Sequence, residues 1–168
     1  MNYQERYWRE MDQLKVHIFY LEEYLEKTIK IDRGIKIFLA VASSGSIAGW
    51  AIWQHISFVW GGIIAASQIV NSVKEYLPYS KRLKALQGIT NDLEALFLNF
   101  ESRWFDVAEG NLTNEEIHKM HMMFKEQRRL IIQKHLGVNP LPHKEHFMRK
   151  AIESTRLYFS NSYGFVYA

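Results

Sequence analysis

The chain has 168 residues, is 48% hydrophobic and 14% aromatic, and carries a formal net charge of +3 with no cysteine. That length makes one compact domain able to bury a core without cross-links, and the missing cysteine excludes disulfide frameworks, thiolate metal sites and cysteine nucleophiles. Mild basicity alone does not mark a nucleic-acid binder, so no specific nucleic acid is expected as a partner.

In chain order, the first stretch, MNYQERYWREMDQ, alternates charges with aromatics. It lacks the basic-then-apolar order of a signal peptide, so the bulk of the chain is expected in the cytosol. Residues 2–30 read as an amphipathic helix. Tyr7, Leu14 and Leu21 recur every seven residues, as do Met11, Ile18 and Leu25, which makes a coiled-coil-like stripe. Asp32, Arg33 and Gly34 are read as a break or bend, so 1–33 is an N-terminal amphipathic cytosolic helix.

The next segment, 34–77, sets the character of the chain. From Ile37 to Val73 it contains no Asp, Glu, Lys or Arg, a run of 37 residues closed by Lys36 and Lys74. It could be one long buried helix, two core helices of a soluble bundle, or a membrane hairpin. One helix of that length would measure about 55 Å at ~1.5 Å per residue, against a hydrocarbon core of about 30 Å. A fold-back is therefore expected near Gln54-His55, with Gly61-Gly62 as a second position. This gives two spans, 34–53 and 57–77.

Three features point to lipid. Lys27, Lys30, Arg33 and Lys36 flank one end, and Lys74, Lys81, Arg82 and Lys84 flank the other, while the turn has no charge. By the positive-inside rule both termini stay cytoplasmic, which predicts a two-span protein of the cell inner membrane. Trp50, Trp53 and Trp60 cluster at the turn, and Tyr76 and Tyr79 lie at the other end, where indole and phenol rings prefer the headgroup level. Small residues, Gly45 and Gly49 in the first span and Gly61, Gly62, Ala65 and Ala66 in the second, suit close helix packing in the membrane.

The spans also carry polar residues. Ser43, Ser46, Ser67, Gln68 and Asn71 fall at similar depth, because Ser43 is seven residues past Lys36 and Ser67 seven before Lys74. A buried amide in lipid needs a partner. These residues either hydrogen-bond within or between hairpins, or line a polar path. Two helices cannot enclose a path, so that alternative needs a homo-oligomer. His55 is the one ionisable group in the tract and a position for pH sensing.

Segment 78–136 is expected to be a cytosolic helical region. Leu83, Thr90, Phe97 and Trp104 form one heptad series over 79–108, and Leu86, Leu93, Phe100 and Val107 the other, a two-helix seam. Glu109-Gly110-Asn111 ends it. Thr113-Asn114-Glu115-Glu116 is a capping box opening a helix to about 136, with Ile117, Met120, Phe124 and Ile131 on its apolar face. Gly137, Pro140 and Pro142 stop it. Segment 137–168 is a last helix, about 143–160, carrying Phe147, Ala151 and Ile152, followed by an aromatic tail. The fold class is all-α: a two-helix transmembrane hairpin with long amphipathic cytosolic helices forming a coiled-coil-like bundle.

No phosphate-loop, dinucleotide, nucleophile-elbow or zincin pattern occurs, so no catalytic residue, cofactor or metal is assigned. His118 with His121, and His143 with His146, share helical faces, which more often means exposed histidines than a metal site. Lys125, Arg128, Arg129 and Lys134 make a basic patch, read as a solvated face beside Glu126.

The order of parts, and the stretch KIDRGIKIFLAVASSG…WGGIIAASQIVNSVKEYLPYSKRLKALQGITNDLEALFLNFESRWFDVAEGNLTNEEI, resemble the SLATT family of two-transmembrane effector domains from bacterial conflict systems. The resemblance spans about residues 1–135. It implies an oligomeric membrane effector that permeabilises the inner membrane in antiphage defence, triggered by a nucleotide-signalling partner protein. It supplies no catalytic residue. The alternatives are a membrane-anchored scaffold and a soluble helical interaction module.

Overall fold

The structure is a computed structural model. It describes the backbone of residues 2–52, 57–74, 79–137 and 141–164, and within these the side chains outside 44–52, 57, 60, 74 and 79–81. The described residues form five α-helices and no strand: α1 Tyr3–Ile52, α2 Ser57–Lys74, α3 Tyr79–Ala108, α4 Asn114–Leu136 and α5 Glu145–Tyr163. The fold class is all-α, as the 3.6-residue periodicities require.

The helices run on through two positions where the sequence allowed an interruption. α1 runs for 50 residues straight through Asp32-Arg33-Gly34. One glycine costs a helix only about 1 kcal/mol, and Gly34 does not take a positive φ. Ion pairs at i,i+4 brace both sides of it, Lys30 to Glu26 and Lys36 to Asp32, each at 2.6 Å. Gly61-Gly62 lies inside α2 and is not the turn. The other position, Gln54-His55, falls between the end of α1 and the start of α2 but lies outside the described residues.

The chain divides into two compact units, Met1–Leu25 with Lys84–Ala168, and Glu26–Leu83. The first unit packs the start of α1 against α3, α4 and α5. Tyr7, Met11, Leu14, Ile18 and Leu21 of the α1 stripe are buried, Leu86, Leu93, Phe97, Phe100 and Val107 of the α3 seam face them, and Ile117, Phe124, Phe147, Ala151 and Phe159 complete the core. Thr90, the one polar member of the seam, is buried with its hydroxyl donating to Leu86 O at 2.8 Å. Leu83, in the second unit, and Trp104 are half-buried. Polar ties register the helices. Tyr7 Oη donates to Phe100 O at 2.9 Å, and Gln4 Nε2 to Val107 O at 2.8 Å. Tyr20 Oη takes the Lys144 N–H at 3.0 Å and donates to Pro142 O at 3.1 Å, which anchors the start of α5.

α4 opens with the predicted capping box. Thr113 Oγ1 accepts from Glu116 N at 3.3 Å, and Glu116 Oε2 accepts from Thr113 N at 2.8 Å. It closes at Gly137 in a positive-φ conformation (56°) that a side chain rarely adopts. On its apolar face Ile117 and Phe124 are buried, while Met120 and Ile131 are half-buried. In α5, Ile152 points outward, and the buried row is Phe147, Ala151, Thr155 and Phe159.

In the second unit, the end of α1 and α2 lie side by side. Residues 39–43 and 64–71 line one cavity, and the helices join end to start within a few residues, so they run antiparallel.

Candidate functional site

The Glu26–Leu83 unit leaves many of its large apolar side chains exposed. The large side chains of Ile37, Val41, Phe58, Val59, Ile69 and Val73 are exposed, Phe58 at 93% and Ile69 at 64%. Between the helices is an open cavity of about 570 Å³ lined by Leu39, Ala40, Ala42, Ser43, Ile64, Ser67, Gln68 and Asn71. The helical period makes this possible: Ile64, Ser67, Gln68 and Asn71 are spaced i, i+3, i+4, i+7 and share one face of α2.

Four of the five candidate path residues, Ser43, Ser67, Gln68 and Asn71, therefore come together, from both helices. The fifth, Ser46, lies outside the described side chains. The two hydroxyls are tied locally: Ser43 Oγ donates to Ala40 O at 3.0 Å and Ser67 Oγ to Ile64 O at 2.8 Å. Among the described residues, the Gln68 and Asn71 amides make no side-chain hydrogen bond. Each amide offers two donors and an acceptor.

The small residues divide. Gly61 and Gly62 are exposed, and a Cβ at either would meet nothing within 4 Å. Ala65 and Ala66 are exposed too. Gly45 and Gly49 belong to the helical backbone of α1, and their surroundings, with Trp50, Trp53, Trp60, His55, Tyr76 and Tyr79, lie outside the described residues or side chains.

Among the described residues, no helix is long and apolar enough to cross a membrane. α2 has 18 residues, about 27 Å at ~1.5 Å each, and Ser67, Gln68, Asn71 and Ser72 dilute its apolar content.

From Leu86 to Val107 the heptad seam of α3 is occupied by the chain's own α1, α4 and α5, so this stretch offers no free face to a second subunit. The basic patch is largely paired: Arg128 with Glu10 at 2.8 Å, Arg129 with Glu126 at 2.7 Å, and Lys134 with Asp92 at 2.9 Å. His121, read from the sequence as exposed, is buried, with Nε2 3.6 Å from Glu10 Oε2. His118 instead packs edge-on against Tyr3. Among the described residues no group of three His, Cys, Asp or Glu side chains could hold a metal ion.

Sequence reasoning missed a polar knot between α1 and α4. Arg128 bridges Glu10 and His17, its Nη2 lying 3.4 Å from His17 Nδ1. Burial, with the Arg128 charge second, lowers the His17 pKa to about 4. Burial also lowers that of His121, partly offset by Glu10. It missed Lys15 as well, which is buried on the α1 stripe and paired with Glu94 at 2.9 Å. The signal was present, since Lys15 sits at i+4 from Met11 and beside Leu14.

Compared with protein families, curated proteins and solved structures, the chain matches none.

Proposed function

We propose that this chain is an oligomeric integral membrane protein: its charge-free tract inserts as a two-span hairpin, both termini stay cytoplasmic, and the assembled hairpins perturb or permeabilise the bilayer. The observation that carries this proposal is the exposure of large apolar side chains across this unit, together with the gathering of Ser43, Ser67, Gln68 and Asn71 along one open groove. In lipid the outward residues are solvated, while the groove needs a polar partner. α2 is too polar to cross alone, but a helix of that kind is stable in a bilayer when its polar face is covered by neighbouring helices. Other copies of the hairpin supply that cover, and the exposed Gly61, Gly62, Ala65 and Ala66 leave room for close approach. The resemblance to SLATT effectors adds a setting, the bacterial inner membrane in antiphage defence, with the trigger delivered by a nucleotide-signalling partner.

The test is fractionation of expressing cells with an alkaline carbonate wash. Retention in the washed membranes, with release by detergent alone, is expected. Recovery in the soluble fraction would remove the membrane reading and leave a helical interaction module. Gly61→Leu is expected to weaken oligomers in crosslinking and to relieve growth arrest at equal protein level.

The closed core of the four-helix unit favours a second reading, a scaffold that the hairpin merely tethers. Replacing 34–77 with an unrelated hairpin would preserve activity in that case and abolish it in the first.

A further inference from the structure

We infer that the groove between α1 and α2, once closed by further copies of the hairpin, passes small hydrated ions of either sign. This rests on the membrane assembly proposed above and specifies what that assembly would conduct.

The volume sets the class of permeant. About 570 Å³ per hairpin holds on the order of ten to twenty waters at roughly 30 Å³ each. An ion can therefore keep much of its water. The lining chemistry sets the indifference to sign. Gln68 and Asn71 present both amide N–H donors and carbonyl acceptors, so they can face a cation or an anion. The Ser67 hydroxyl donates to Ile64 O, so toward the groove it offers its oxygen as a further acceptor. Channels discriminate by charge through rings of ionised side chains or of backbone carbonyls, and the side chains lining this groove include no ionised one. Between Ile37 and Val73 the sequence has no Asp, Glu, Lys or Arg. Of the two lysines that close this run, Lys36 is paired with Asp32 at 2.6 Å, and Lys74 lies three residues past Asn71 at the end of α2.

The experiment uses the full chain in vesicles of phosphatidylethanolamine and phosphatidylglycerol fused to a planar bilayer, under a potassium chloride gradient. The wild-type reversal potential is expected close to zero, between the potassium and chloride equilibrium potentials. Gln68→Glu should move it towards potassium and Gln68→Lys towards chloride. Asn71→Asp, one turn along the same face, should repeat the potassium shift and guards against a Gln68 variant that does not assemble. Opposite shifts following the introduced charge support the inference. Wild-type conductance already selective for one sign overturns it. So does wild-type conductance that these variants leave unshifted or that all of them silence, with the membrane proposal intact in each case. A wild-type chain that arrests growth when expressed without a partner, yet inserts and never conducts, overturns the permeabilising function and the inference with it.

Discussion

The imidazole of His135 lies across Gly88. A Cβ on Gly88 would come 2.5 Å from the ring Cε1 and 2.8 Å from Nδ1, while Nε2–H of the same ring donates to Asp92 Oδ2 at 2.7 Å. α3 and α4 meet through this contact. In a helix interior Gly→Ala gains about 0.5–1 kcal/mol from backbone entropy. Here the added methyl must push the ring off Asp92. Gly88→Ala is therefore expected to give no gain in the wild-type chain and a gain of about 0.5–1 kcal/mol in a His135→Ala background. Denaturant unfolding of the four variants measures that coupling; equal gains in both backgrounds would show that the ring does not oppose the methyl.

His17 makes the four-helix unit sensitive to acid. Its folded pKa of about 4 lies below the ordinary 6.5, because burial and the neighbouring Arg128 both disfavour the imidazolium. The unfolded chain then binds more protons between these values. Stability from this residue is present above about 6.5 and is lost as pH falls through 4, a swing of up to roughly 3 kcal/mol. His121 shifts in the same direction. Unfolding midpoints between pH 7 and 4 should fall steeply in the wild type and less steeply in His17→Gln, where the glutamine cannot titrate. Parallel slopes would remove His17 from the account.

Lys15 and Glu94 are unequal partners. The Lys15 side chain is 5% exposed and that of Glu94 38%, and the ammonium also lies 4.4 Å from the ring centroids of both Phe97 and Tyr158. Removing the glutamate strands a buried cation; removing the cation leaves a carboxylate that water can reach. Glu94→Ala should cost about 2–3 kcal/mol and Lys15→Met, which keeps the apolar stem, less than about 1 kcal/mol. The reverse order in chemical denaturation would place the energetic weight on the carboxylate instead.

Thr113 is the simplest test of the local sequence signal. Its hydroxyl and the Glu116 carboxylate satisfy two end groups of α4, and those hydrogen bonds hold the Glu116 pKa below its ordinary value. Thr113→Ala should destabilise the four-helix unit by about 1 kcal/mol, with Thr113→Ser close to wild type. Faster amide exchange confined to the first turn of α4 would locate the effect.

The local elements were legible in the sequence, because their causes are local. Seven-residue spacing placed Tyr7–Leu21 and Leu86–Val107 on buried faces, and Thr113 with Glu116 marked the start of α4 to the residue. The 37 uncharged residues and their basic flanks are likewise a property of the sequence alone. Spacing does not say which partner covers a face. A heptad seam is equally satisfied by a second subunit or by its own chain, and only the packing of α1, α4 and α5 around α3 shows the latter. Nor does a helix announce its breaks: one glycine, partly offset by two i,i+4 ion pairs, does not interrupt α1 at Asp32-Arg33-Gly34, and Gly61-Gly62 stays helical. Burial of Lys15 and His121, and partial burial of His17, was hidden for a third reason. A polar residue is taken inside when a counter-charge or hydrogen-bond partner arrives from another helix. Glu94 is 79 residues from Lys15 and Arg128 is 111 from His17, so that pairing exists only once the chain has folded.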